Sequence, residues 1–237
     1  MSKRFITFAA GSTDYIAAGH RIIEQANSLQ IFDKTTLYTD EYLRADTEFW
    51  TRHHEFIEKN KRGYGYWLWK PYVIKKTMEE MKDGDILLYL DSGCEFSLRE
   101  KQYLLNCIRI VKDDYILGSL TSNGFEKHWN KMDTILKLEI TDEKHLNSRQ
   151  RQGGTSLFLV CEKTRALINE WYDLCCDYHL IDDSPSIAPN MPGFQENRHD
   201  QSIYSLLTKK YNLYSPINLI EKCIKAHRNK TGISRLI

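Results

Sequence analysis

No part of this 237-residue chain is apolar for long. No run approaches the ~20 residues that cross a bilayer. The start, MSKRFITFAAGSTD, is basic, but its apolar run is short and closes at Gly-Ser-Thr-Asp. It reads as a first strand rather than a secretion leader, and a soluble, cytoplasmic protein is the expectation. Charge of one sign is missing too: the formal net charge is +1. That leaves no global attraction to nucleic acid or to an anionic membrane, so any anion must be held by a local cluster. None of the six cysteines forms a C-x-x-C, and no Cys/His set has zinc-finger spacing. A chain of this size needs no disulfide staples, and buried reduced thiols are expected. Internal repeats, low-complexity tracts and linker-like stretches are absent as well, which argues for one folding unit.

What is present is alternation. RFITFAAG and KTTLYTD (34–40) read as strands, with an amphipathic helix through Tyr15, Ala18, Ile22, Ile23, Ala26 and Leu29 between them. Residues 43–61 are more polar and partly helical. WLWKPYVIKKTMEEM reads as a helix with Pro71 in its first turn, where a missing N–H costs little. After the KDGD turn comes the strand ILLYLD. Ser97-x-x-Glu100 then has the form of a capping box, opening a helix through Leu104, Leu105, Ile108 and Val111. YILGSL (115–120) and GGTSLFLVC (153–161) are further strands, and a long helix follows through Leu167, Ile168, Trp171, Leu174, Cys175 and Tyr178. Pro185, Pro189, Pro192 and Gly193 mark 181–198 as an irregular loop, and DQSIYSLLTKKY as a last helix. The spacing predicts an α/β fold with a mixed, mainly parallel central sheet and helices on both faces.

Five segments carry chemistry. In ILLYLDSGCEF, Asp91 ends a strand at the edge where open α/β sheets bind ligands, so it can hold a divalent cation or cap a turn. Glu95 is either a second oxygen or a solvated carboxylate, and Gly93 lets the backbone pass close to a ligand. In RGYGYWLWKPY, five aromatics are interleaved with glycines, Arg62 and Lys70. Aromatic faces stack on a base or a sugar and the cations meet phosphate, unless Trp67 and Trp69 only fill the core. RQRQGGTSLFL offers Arg149, Gln150 and Gln152 as hydrogen-bond donors ahead of Gly153-Gly154, or a mere bulge. In RHDQS, Asp200 is placed as a helix N-cap, or as a base or acceptor ligand. The tail groups Lys222, Lys225, Arg228, Lys230 and Arg235 around His227, which is either a solvated cluster or a cover for a diphosphate.

The order of these parts resembles nucleotide-sugar glycosyltransferases of the GT-A fold, across most of the chain. The parts are a first strand at Phe5–Ala10, a Lys-Pro helix at Trp67–Lys76, a D-x-D-like YLDSGC, the glycine-led QGGTSLFL and HDQS before a late helix. The resemblance implies one GT-A-like, Rossmann-like domain over 1–237, with a nucleotide-binding part (1–120) and an acceptor part with a basic tail (121–237). It implies transfer of a sugar from a nucleoside-diphosphate sugar, UDP favoured over GDP, to a glycan, lipid or protein hydroxyl. By the same resemblance Ala10, Gly11 and Ser12 contact the nucleotide, and Arg62 and Lys70 approach it or its phosphates. Asp91, with Ser92 beside it, holds Mn²⁺ or Mg²⁺ on the diphosphate. Gly153 and Gly154 line the sugar pocket, Arg228 offsets leaving-group charge, and Asp200 faces the acceptor or reactive centre. The family's second metal carboxylate is here Gly93, so His227 or Glu95 must share the task, or metal dependence is weaker. The glycogenin-like and capsular-polysaccharide-type relatives, which HDQS and the glycine-led strand match most, are retaining, and retention is favoured.

Two rivals remain. A methyltransferase would use YLDSGCEF as its glycine loop, but it needs more than the single Gly93. A non-catalytic carbohydrate-binding protein would use the Tyr/Trp segment alone, with neither metal nor nucleotide.

Overall fold

The computed structural model describes residues 1–236. Its apolar runs assemble into a five-stranded sheet of β1 (Lys3–Phe8), β2 (Lys34–Tyr38), β3 (Ile86–Leu90), β5 (Ile116–Leu120) and β6 (Arg151–Leu159). The short strands β4 (Glu95–Phe96) and β7 (Ile224–Lys225) pair separately. The order across the sheet is β2-β1-β3-β6-β5. β1 is parallel to β2 and β3, whereas β6 is antiparallel to both β3 and β5. The sheet is thus mixed, as the alternation predicts, with β6 running against the other four strands.

β3 explains why both faces carry helices. All five of its residues are fully buried, and successive side chains point to opposite faces. Ile86, Leu88 and Leu90 join Phe5 in packing against Ile22, Ala26 and Leu29 of the Thr13–Leu29 helix and Leu104, Cys107 and Ile108 of the Lys101–Asp114 helix. Leu87 and Tyr89 join Ile6, Phe8 and Phe158 on the other face. There they meet Val73 and Ile74 of the Trp69–Glu79 helix, Ile168 and Trp171 of Glu162–Cys175, and Ile203 and Leu207 of Asp200–Lys210. Burial on both faces is why the strands read as unbroken apolar runs.

Three local expectations change. Ser97 and Glu100 form no capping box: Leu98–Glu100 is a 3₁₀ turn, and the Ser97 side chain caps nothing. Its N–H donates to Cys223 O (2.8 Å), which ties the segment to the β4–β7 pair instead. Asp200 is not the N-cap of its helix but its first residue, and His199 holds the cap position with φ +58°. Finally, the helix expected from Trp67 begins at Trp69. Residues 63–67 all have φ between +50° and +84°, making a left-handed turn that contains Tyr64, Tyr66 and Trp67. Each non-glycine residue there costs about 1–2 kcal/mol, so the packing around it must hold it in place.

Candidate active site

β3 delivers Asp91 to the carboxyl edge of the sheet, with its side chain 42% exposed. The Asp91 N–H donates to Gly154 O (2.9 Å). Its Oδ1 accepts from the Tyr89 hydroxyl (2.7 Å), which alternation places two residues back on the same face. Burial, with Asp91 beside it, raises the Tyr89 pKa well above the usual phenol value, so the hydroxyl stays a donor.

Lys70 enters from the first turn of the Trp69–Glu79 helix and is buried. Its ammonium lies 3.2 Å from Asp91 Oδ1 and 3.3 Å from Asp200 Oδ2. Burial pulls its pKa down, but Asp200 and Asp91 outweigh that and hold it charged, above its ordinary value. Lys70 is therefore enclosed between two carboxylates rather than reaching out to a phosphate. Burial raises the Asp200 pKa to about 7; Lys70 opposes the rise and Asp91 adds to it. Asp200 Oδ2 has no hydrogen-bond partner, and the Lys70 contact is an ion pair without hydrogen-bond geometry. With both acids ionised, the trio carries one surplus negative charge, and of the three only Asp91 is exposed at the edge; Lys70 and Asp200 lie buried behind it.

The glycines belong to these carboxylates. A Cβ on Gly154 would overlap the Asp91 carboxylate, and one on Gly153 would sit 3.3 Å from Asp200 Oδ2. Because β6 is antiparallel to β3, with Leu90 opposite Thr155, the start of β6 lies beside the end of β3. The three donors expected ahead of the glycines serve the fold instead. Arg149 Nε bonds Thr121 O (2.6 Å), Gln150 Nε2 bonds Glu126 Oε2 (3.2 Å) and Gln152 Nε2 bonds Leu120 O (2.9 Å). Gln201 Nε2 in turn donates to Gln150 Oε1 (2.6 Å), while its Oε1 accepts from Gly153 N–H (3.2 Å). Residue 201 thereby holds the glycine strand against the Asp200 helix.

Ala10, Gly11 and Ser12 follow β1 at the same edge, and a Cβ on Gly11 would meet the Tyr64 ring at 3.8 Å. Ser12 Oγ accepts from the Tyr15 N–H (3.3 Å) and caps the first helix. The left-handed turn runs from Tyr64 here to Tyr66 and Trp67, whose rings stack on His199 with centroids 5.0 and 5.2 Å away. Trp69 is core, stacked on Phe8 at 3.8 Å. Arg62 points the other way and pairs with Asp183 (2.9 Å) and Glu196 (3.7 Å). Nothing in the sequence singles out His199. Its Nδ1 bonds Ile181 O (2.7 Å), its buried Nε2 has no hydrogen-bond partner, and burial lowers its pKa.

The tail lies on the Asp91 loop. A Cβ on Gly93 would meet Arg228 Cα at 3.1 Å, and Asn229 N–H donates to Gly93 O (2.9 Å). There is no room for a carboxylate at 93, which accounts for glycine at that position. The contact also closes the backbone that a methyltransferase would present to its cofactor. Arg21 clamps the two segments: its guanidinium donates to Ser92 O and Cys94 O (both 2.9 Å), to Asn229 O (3.1 Å) and to Thr231 O. Ser92 is buried by this clamp. Glu95 does the same from below and is fully buried, neither a metal oxygen nor a solvated carboxylate. It accepts from Asn229 Nδ2 (2.8 Å), Ser234 Oγ (2.6 Å) and the Arg235 N–H (3.0 Å). Burial raises its pKa, but these bonds outweigh it and leave the carboxyl below its ordinary value. His227 and Arg228 are exposed where the tail crosses Gly93.

Among the described residues no group of three or more His, Cys, Asp and Glu side chains is disposed to hold a metal. Asp91 is exposed at the edge, and the tail that carries His227 crosses Gly93, two residues further on. This donor set fits an ion that brings most of its own ligands as phosphate oxygens and water, not a protein-built cage.

No helix among the described residues is long and apolar enough to cross a membrane. No protein-family model matches the chain, and no curated protein matches it. Among solved structures it is similar to mouse xyloside xylosyltransferase 1 in its apo form, at 9% identity over 92% of this chain and 85% of that one, TM-score 0.47. It is also similar to mannose-6-phosphate isomerase from Helicobacter pylori, at 9% identity over 78% of this chain and 82% of that one, TM-score 0.40. Likenesses this low carry nothing about activity, and the chemistry must be argued from the Asp91–Lys70–Asp200 edge itself.

Proposed function

We propose that this protein is a glycosyltransferase that moves a sugar from a nucleoside-diphosphate sugar, UDP favoured, to an acceptor hydroxyl. One observation carries the reading. At the carboxyl edge of an α/β sheet, Asp91 and Asp200 are bridged by Lys70 at 3.2 and 3.3 Å, with two glycines pressed against the carboxylates. Buried charge of this kind is costly to stability, and such clusters mark functional sites.

The nucleotide lies along Ala10, Gly11 and Ser12, where the exposed Gly11 backbone and the Tyr64 ring offer close approach and a stacking face. Asp91 and His227 are the residues that would hold Mn²⁺ or Mg²⁺, and a bound ion would neutralise diphosphate charge. Arg228 and Lys230 lie on the clamped tail and offset the charge growing on the leaving group. Asp200, ionised, faces the positive charge that develops on the sugar ring as the bond to the diphosphate breaks. Lys70 positions both carboxylates and touches neither substrate. The leaving phosphate takes the acceptor proton, and the anomeric configuration is retained.

The test is a thermal-shift screen of nucleoside diphosphates and nucleotide sugars with and without Mn²⁺, followed by product NMR with the stabilising donor. A metal-dependent shift with a UDP or GDP species and an axial or equatorial product matching the donor support the reading. No shift with any of them removes the donor site.

A further inference from the structure

A cavity of about 520 Å³ opens within the loop after Ile181, between residues 183–190 and 194–197. Its size falls in the range of small-molecule sites, roughly 300–1,000 Å³. The loop has no regular structure, yet it is pinned. Asp133 accepts the N–H groups of Ile187 (2.7 Å) and Ala188 (2.9 Å), and Asn190 Oδ1 accepts the Met132 N–H (2.8 Å). The buried Lys131 ammonium donates to His179 O (2.7 Å), Asp182 (2.7 Å) and Ser184 Oγ (3.2 Å). The cavity is therefore formed before any ligand arrives.

Its chemistry is selective. The charged lining groups already have partners: Lys131 with Asp182, Asp183 with Arg62, and Glu196 with Arg62 and Arg198. What is left to recognise a ligand is neutral: the Phe194 ring, prolines, the amide of Gln195 and the hydroxyl of Ser186. Asn197, 5% exposed, also lines it, and its Oδ1 has no hydrogen-bond partner. An apolar face ringed by amides and hydroxyls suits the two sides of a sugar ring. A diphosphate would find no free cation there, since Lys131, Arg62 and Arg198 are all paired with carboxylates. The wall shared with the active site is short: Asp183 Oδ1 lies 3.8 Å from His199 Nε2, and His199 precedes Asp200.

We infer that this loop cavity binds a neutral saccharide and, resting on the glycosyltransferase reading, that it holds the acceptor chain whose end reaches Asp200. The experiment is a glycan array probed with the labelled full chain, alongside Phe194→Ala, Gln195→Ala and Asp91→Asn variants checked by thermal melts. Retention on neutral glycans, at least tenfold weaker for either loop variant and unchanged for Asp91→Asn, is the expected result. No retained glycan, retention of acidic glycans only, or loop variants that bind like the parent would overturn it. Nucleotide binding by the same chain keeps the two readings separate. UDP binding without glycan retention removes the loop site alone, and neutral-glycan retention without nucleotide binding removes the donor site alone.

Discussion

Asp200 is a carboxyl group whose burial sets its pKa at about 7, far above its ordinary 3.8. If it acts as an ion, activity rises as pH climbs through about 7, and Asp200→Asn abolishes both the activity and that rise; kcat measured from pH 5.5 to 8.5 checks this. Lys70 is the counter-charge. Lys70→Met leaves Asp200 buried without its cation, which costs about 3 kcal/mol when the acid is ionised. The sign follows from linkage. A folded-state pKa raised above 3.8 contributes stability below that value and loses it as pH rises through the folded pKa. The Lys70→Met deficit in urea melts should therefore be large at pH 8 and small at pH 4.5. Gly154→Ala asks a narrower question, because its Cβ would overlap the Asp91 carboxylate. We expect at least a tenfold loss of kcat/KM with folding intact, read by kinetics beside circular dichroism; unchanged kinetics would show that Asp91 need not stay where it is. The carboxylates themselves were legible in the sequence, because each ends or opens an apolar element. Lys70 was legible only as a cation in an aromatic segment, since nothing local says that it turns inward.

At the scale of elements, the C-terminal strap and the left-handed turn were the hardest to read. A basic tail usually means a solvated one, yet Arg21 and Glu95 hold this one on the Asp91 loop. Arg21 and Glu95 lie 208 and 134 positions before Asn229, so no window of sequence contains the interaction. Arg21→Ala should release the strap: trypsin cleavage after Arg228 or Lys230 becomes several-fold faster while the sheet's amides keep their exchange protection. Equal cleavage rates would mean that the clamp does not govern the strap. In the turn, glycine at 63 and 65 was a visible signal, but its meaning was conformational. An Ala at 65 would place its Cβ 2.7 Å from Ile57 Cγ1 on a backbone of φ +84°. The variant should lose about 1–2 kcal/mol, and denaturant midpoints measure it.

Over the whole molecule, two buried groups pull stability in opposite directions in mild acid: Asp200 gains as its proton returns, and His53 loses. His53 is fully buried, between the hydroxyls of Tyr178 (2.8 Å) and Tyr172 (3.0 Å). Burial, with Arg52 nearby, lowers its pKa from 6.5 to about 4. Below 6.5 the unfolded chain takes up a proton that the folded chain refuses until about 4. The His53 contribution is therefore complete above 6.5 and drains away by on the order of 2–3 kcal/mol as pH falls to about 4. A His53→Gln variant should gain stability relative to the parent as pH falls over that window in guanidinium melts, and a constant difference between the two would point to other groups.

Composition and periodicity alone determined the α/β class, the helices on both faces of the sheet and the candidacy of Asp91 and Asp200. Those features rest on local spacing and on how much apolar surface each segment must bury, and both are written along the chain. Only the tertiary structure decided the rest. β6 runs antiparallel, which brings Gly153 and Gly154 to Asp91 rather than to the far edge. Lys70 closes between the two carboxylates, Glu95 becomes the anchor of a strap, and Gly93 makes room for that strap to pass. Each of these is a pairing between residues distant in sequence, set by strand direction and shape complementarity, which periodicity does not encode.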